Sequence, residues 1–273
     1  MKIGSDTRVV ITGAGSGLGA ALCTLLAARG ARIVAGDLDE AAVRATAERC
    51  GAGVTGVRCD VTRLADVEAL AATAERTFGG VDLVVNNAGV AVAGKLGEVP
   101  IEDWRWAIEV NLWGVIHGCH VFAPRLERQG KGHIVNVASA AGLLCPPRMA
   151  PYNTTKAAVI ALSETLHADL RPHGVGVSVL CPTFFRTNLV RSPRTSTDEV
   201  LRAAARKMVE KSKVSAEDIA RATIDGIERD ALFVAPQADG RWMWRLKRLA
   251  PESFLRLSPR LAERLLSRKA QAS

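Results

Sequence analysis

Seven short runs rich in valine and isoleucine recur along this chain, at residues 9–12, 32–37, 54–59, 81–86, 133–138, 175–181 and 232–235. Each ends near Gly, Asn, Asp or Ser, the residues that stop strands. Between them, Ala- and Leu-rich stretches place apolar residues at helical spacing over 18–29, 40–50, 64–78, 101–128, 150–171 and 216–229. Ser215 and Asp218 head the last of these at capping-box spacing. Strands apolar on both faces must be covered twice, and helical crossovers make them parallel. The pattern therefore predicts an α/β, doubly wound fold: a seven-stranded parallel sheet with helices on both faces. No Pro- or Ser-rich linker precedes residue 236 and no internal repeat is visible, so one domain is expected over 1–236. Ligands of such sheets bind beyond the carboxyl ends of the strands.

Several classes are excluded early. Hydrophobic residues make up 48% of the 273 and charged residues 23%, ordinary globular usage that rules out disorder. The six cysteines (Cys23, Cys50, Cys59, Cys119, Cys145, Cys181) have no pairwise spacing, which points to neither disulfides nor zinc and to a reducing, cytoplasmic setting. Residues 9–28 are uncharged behind Lys2 and Arg8, like an export signal, but Gly13, Gly15, Gly17 and Gly19 suit a strand, turn and helix instead.

The net charge of +8 is concentrated at the end. Beyond residue 240 stand nine cations, from Arg241 to Lys269, against Glu252 and Glu263. Residues 237–273 thus read as a basic amphipathic C-terminal tail with Trp242 and Trp244, broken by Pro251 and Pro259. Two placements stay open: packing on the body or a neighbouring subunit, and peripheral contact with an anionic membrane. No nucleic-acid-reading module accompanies the cations, so nucleic acid is not an expected partner.

The first strand runs into Thr12-Gly13-Ala14-Gly15-Ser16-Gly17-Leu18-Gly19, a turn in which backbone amides can approach a pyrophosphate and a helix offers its positive end. Two registers fit: Gly15-x-Gly17-x-x-Ala20, and the wider Gly13-x-x-x-Gly17-x-Gly19. Asp37 ends the second strand, where a carboxylate can accept both ribose hydroxyls of NAD and repel a 2′-phosphate. Leu38, Asp39 and Glu40 supply no arginine to reverse that preference. Asp37 could instead cap the next helix, as could Asp39, but its spacing from the glycine turn favours the ribose. Asp60, followed by Val61, has two roles open, receiving the adenine amino group or capping a helix.

Tyr152 and Lys156 are four apart, so a helix puts them on one face. Tyr152 is the chain's only tyrosine. A phenol ordinarily ionises near pH ~10, and bringing it to neutrality needs ~4 kcal/mol of differential stabilisation, which a nearby cation can supply. Opposite charge, from Lys156 and from the positive nicotinamide ring of an oxidised cofactor, rather than burial, is the expected device. Ser139 ends a strand at the sheet rim without a Gly-x-Ser-x-Gly elbow, so it reads as an orienter of substrate oxygen and not as a nucleophile. His117 and His120 lack a third ligand nearby, so no metal site is expected.

Thr12-Gly-x-x-x-Gly17-x-Gly19, Asn86-Asn87-Ala88-Gly89, Val110-Asn111-Leu112, Ser139, Tyr152-x-x-x-Lys156 and the run from Pro182 to Thr187 occur in this order. Through this ordered set, over residues 9 to about 190, the chain resembles the short-chain dehydrogenase/reductase family, built on the Rossmann fold. The resemblance implies Asn111, Ser139, Tyr152 and Lys156 as the catalytic set, with Asn111 holding a water in a relay from Tyr152 through the ribose to Lys156. It implies cofactor contacts from the glycine turn with Ser16 and Leu18, and from Asp37, Leu38, Asp60, Val61, Asn87, Ala88, Gly89, Tyr152, Lys156, Pro182 and Thr187, the last holding the carboxamide. It also implies a homodimer or homotetramer. The family's usual Pro-Gly is here Pro182-Thr183.

Pocket walls are expected from residues 90–96, 143–148, Phe184-Phe185 and a lid at about 189–213, mostly apolar in the first three. They suit a lipophilic secondary alcohol or its ketone, interconverted by hydride transfer. Phe184 and Phe185 could instead fill core space. The rival reading is a catalytically silent dinucleotide sensor or membrane-associated scaffold of the same fold, against which the intact catalytic set argues.

Overall fold

The computed structural model describes residues 1–189 and 199–258. Seven strands, β1 (Arg8–Thr12), β2 (Arg32–Asp37), β3 (Val54–Arg58), β4 (Leu83–Asn86), β5 (Gly132–Val137), β6 (Val175–Leu180) and β7 (Phe233–Val234), form one sheet in the order 3-2-1-4-5-6-7. Every neighbouring pair is parallel. The expected doubly wound sheet is present, and the order reverses between β1 and β4, which opens a crevice at their carboxyl ends.

Alternation along each strand builds two cores. Val9 and Ile11 of β1 face a cluster with Leu22 and Leu26 of α1 (Gly17–Ala27), Val43 of α2 (Glu40–Cys50) and Ile224 of α9 (Ala216–Glu228). Val10 faces the other side, against Leu70 of α3 (Leu64–Phe78), Phe122 of α5 (Gly114–Gln129) and Val159 of α7 (Ala150–Leu170). Local chemistry sets the helix ends. Asp39 caps α2 by accepting from Ala42 N, and Ser215 with Asp218 forms the anticipated reciprocal box at α9.

The expected single helix over 101–128 is divided. α4 (Ile101–Ile108) and α5 are joined by a π turn over Glu109–Trp113, which inserts an extra residue where Asn111 is held by other segments. The short α6 (Ala140–Leu144) was not anticipated, because five residues carry too little periodicity to be seen. Of the proposed lid, 190–198 lies outside the described residues and α8 (Glu199–Glu210) forms most of the rest. Of the tail, α10 (Ala238–Leu249) and a helical stretch at 251–258 are described, and 259–273 lies outside. No described helix is long and apolar enough to cross a membrane.

One buried histidine makes the fold pH-sensitive. Ser178 Oγ donates to Ala231 O at 2.6 Å, so His133 Nε2 must donate to Ser178 Oγ at 2.8 Å. Burial pushes the His133 imidazole down to about 4, with Asp230 opposing weakly from the other side of the ring. The unfolded chain therefore binds one more proton than the folded one between about pH 4 and 6.5. Stability should fall by roughly 3 kcal/mol as pH drops through that window and level off below it. Thermal melting from pH 7.5 to 4.5 should show this loss, and His133→Gln, which keeps a donor toward Ser178, should flatten the slope.

Candidate active site at the carboxyl ends of the strands

The glycine turn decides between its two registers by sterics. Gly13 and Gly17 sit at φ +65 and +54, the left-handed region that favours glycine, and a side chain on Gly19 would overlap the Gly13 carbonyl. These demands select Gly13-x-x-x-Gly17-x-Gly19. Ser16 is the N-cap of α1 but makes no side-chain cap, and the first turn holds no acid, so the amides there remain open to an anion. Leu18 turns its side chain into the first core, leaving only backbone at the crevice.

Several predicted cofactor residues are committed to building this cradle. Asn87 Nδ2 donates to Thr12 O at 2.8 Å and Gly13 O at 2.9 Å, while the Asn87 and Ala88 amides donate to Thr12 Oγ1. Asp37 accepts from Gly15 N at 2.8 Å and Asp39 N at 3.0 Å. Helix capping thus falls to Asp39, and Asp37 keeps lone pairs for ribose hydroxyls. Leu38 is exposed beside it. Asp60 accepts from Thr62 N and Oγ1 rather than capping α3, whose N-cap is Arg63. The Val61 side chain is buried in the second core and its carbonyl meets His117 Nδ1 at 2.8 Å, so its backbone N–H is the group left for a cofactor. Thr187 arrives from beyond β6, its Oγ1 against Gly17.

At the reacting end, Ser139 caps α6, its Oγ accepting from Ala141 N at 3.1 Å and lying 3.4 Å from Pro182 O. Tyr152 and Lys156 sit on the buried face of α7, with Lys156 Nζ 5.8 Å from the Tyr152 ring centre. Nζ donates to Val137 O at 2.8 Å, which ties α7 to β5. The protein's own groups set the starting point on which the expected opposite charges would act. Burial pushes the Tyr152 phenol up to about 12, only partly offset by a hydrogen bond with Ser139, and burial pushes Lys156 down to about 8. Desolvation is the leading cause of both shifts, and each moves its group toward the neutral form.

Asn111 is wholly buried in the π turn. Its Oδ1 accepts from Val90 N at 2.8 Å, and its Nδ2 donates to Val90 O and Thr155 Oγ1. Both amide protons and one lone pair are spent on joining three segments, which leaves a single lone pair for the expected water. Gly89 lies against Asn111 Oδ1 and Lys156 Nζ.

The Pro182-Thr183 departure has a partner that sequence reasoning missed. Gln237, at the N-cap of α10, accepts from Thr183 N at 3.0 Å, and the Thr183 methyl occupies the space that a side chain on Gly240 would need. No local signal marks Gln237 or Gly240, because they lie more than fifty positions away. Of the pocket walls, Phe185 fills the first core while Phe184 is exposed on a groove of about 500 Å³ with Thr183, Val214 and Gln237. Val92 is buried in a small third cluster with Val99 and Ala107. Loops 90–96 and 143–149 are joined where Gly94 N donates to Arg148 O at 2.7 Å. Among the described residues, no group of three or more His, Cys, Asp or Glu could hold a metal ion.

Comparison with known proteins agrees with this fold. The family model described as short chain dehydrogenase matches residues 7–198. "Probable oxidoreductase EphD" of Mycobacterium tuberculosis is 36% identical over 269 residues, covering 94% of this chain and 45% of that protein. The chain thus spans about half the length of those relatives. The 1-deoxy-11-beta-hydroxypentalenate dehydrogenase of Streptomyces exfoliatus is 37% identical over 261 residues, covering 89% of this chain and 90% of that protein. Among solved structures, a short chain dehydrogenase/reductase from Burkholderia phymatum in complex with NAD superposes with a TM-score of 0.83 at 41% identity, covering 91% of this chain and 95% of that one. A 3-ketoacyl-(acyl-carrier-protein) reductase from Brucella melitensis complexed with NADH gives 0.74 at 28%, covering 84% and 94%.

If the turn is as tightly packed as these distances require, Gly19→Ala should lose about 2–4 kcal/mol and melt early, since the Gly13 backbone must shift. Gly4→Ala, with nothing within 4 Å, should melt like the parent and serves as the control.

Proposed function

This chain belongs to the short-chain dehydrogenase family, and from that membership we propose that it interconverts a secondary alcohol and a ketone, using NAD, with Tyr152 as the general acid and base. The observation that carries the reading is the meeting of Ser139, Tyr152 and Lys156 at the end of β5 beside the glycine cradle, with Tyr152 and Lys156 buried and Ser139 half-buried at the rim. The cradle fits a dinucleotide: glycine at the turn admits backbone approach, α1 offers uncapped amides, and Asp37 presents a carboxylate. Gly13, Gly17, Asp37 and Thr187 would hold NAD, and when bound its nicotinamide supplies the place from which hydride is given or taken.

The chain's own groups handle the proton. A ketone oxygen bound between the two hydroxyls takes a hydrogen bond from Ser139 and a proton from Tyr152, which is a phenol at rest. Ser139 is held for this task by Ala141 N, and its own proton is only loosely engaged with Pro182 O. Lys156, still largely protonated at pH 7, places its charge near the phenolate that forms. In the oxidation direction Tyr152 first gives up its own proton toward solvent, and the phenolate, with the Lys156 charge beside it, takes the proton of the alcohol.

A lipophilic substrate is supported by Leu143, Leu144, Pro146 and Phe184, all at least partly exposed around this rim. Assembly as a homodimer or homotetramer is supported by exposed Ile101 and Trp113 near the two ends of α4 and the π turn.

Tyr152→Phe should lower kcat by about 10²–10⁴-fold on any accepted alcohol in a lipophilic panel, while the dissociation constant for NADH stays within about twofold. Normal turnover in that variant refutes the assignment. Asp37→Ala should reduce the ratio of kcat/KM for NAD over NADP by about tenfold, because the carboxylate that repels a 2′-phosphate is gone.

A further inference from the structure

Helix α10 is fastened to the body along one side and bare along another. Trp244 packs on Phe233 with ring centres 4.8 Å apart, Lys247 Nζ donates to Leu143 O at 2.7 Å, and Gly240 lies against Thr183. These three positions share one helical face. The opposite face carries Trp242, Leu246 and Leu249, at i, i+4 and i+7, exposed to 63%, 53% and 83%. Arg245 leans over the Trp242 ring at 5.9 Å, and Arg248 over Trp244 at 5.6 Å, so guanidinium groups flank the bare stripe. Past Pro251, Leu255 and Leu257 are also exposed, beside Arg256. From 241 to 258 there are five cations and one acid.

A single exposed leucine needs no explanation, but a tryptophan and two leucines in one ordered stripe do. We infer that this face of α10 docks on an anionic phospholipid surface. Apolar side chains enter the acyl boundary, the indole suits the headgroup level, and flanking arginines meet lipid phosphates. A second copy of the chain fits less well, because pairing this face with itself sets Arg245 and Arg248 against their own counterparts. The helix that would dock rests directly on α6, whose N-cap is Ser139. The inference concerns binding alone and stands whether or not the proposed reaction is correct.

The test is co-sedimentation of the full chain with vesicles of phosphatidylcholine, with and without about 30% phosphatidylglycerol. The protein should pellet with the anionic vesicles at least about tenfold more than with neutral ones, and raised salt should release part of it. Trp242→Ala/Leu246→Ser/Leu249→Ser should abolish pelleting without changing the melting temperature, and Arg245→Gln/Arg248→Gln should weaken it. Should the triple variant melt early, the single change Leu249→Asp carries the same test. Equal pelleting with both vesicle types, or no effect of these substitutions, overturns the inference. So does light scattering in which the parent's mass halves in the triple variant, since a second copy then covers the stripe.

Discussion

Two hydrogen bonds from one amide hold this site together. Asn87 Nδ2 reaches the carbonyls of Thr12 and Gly13, closing the gap between β4 and β1 where the strand order reverses. That turn has bare carbonyls because it leaves the sheet and has not yet become helix, and a buried unpaired carbonyl is costly. Satisfying them with a side chain from the neighbouring strand fixes the shape of the cradle. Asp37 does the same from the other side through Gly15 N. The residues that line the crevice are thus also the ones that keep it open, and their two duties cannot be separated by substitution at Asn87.

Burial is the second governing constraint. Tyr152 and Lys156 are neighbours, yet removal from water moves the phenol up and the amine down, each toward its neutral form. The protein alone therefore favours proton donation from Tyr152. Phenolate formation needs further favourable interaction, and Lys156 is placed to offer it, its Nζ fixed by Val137 O 5.8 Å from the ring centre. The π turn serves the same end. It carries Asn111 into the space among Val90, Gly89 and Thr155, where an uninterrupted α-helix would aim the next side chain elsewhere.

The C-terminal segment joins the site to the surface. Gln237 and Gly240 accommodate Thr183 in the place of the family's usual glycine, and Lys247 secures α10 to α6. A helix committed inward by these contacts presents its remaining face outward whether or not that face is polar. Its exposed apolar stripe follows from how the helix is anchored.

Strand order of appearance, the extents of α2 and α3, the glycine turn and the i, i+4 relation of Tyr152 to Lys156 were legible in the chain itself. Each depends on neighbours a few residues apart, and backbone periodicity turns such spacing directly into geometry. The π turn, α6, the inward turn of Val61 and the split between Phe184 and Phe185 were not legible, since each is settled by segments distant along the chain. The sign of the Tyr152 shift belongs with them. Spacing brings a cation near the phenol, but how much water the pair loses is a sum over every element packed around it, and only the folded structure performs that sum.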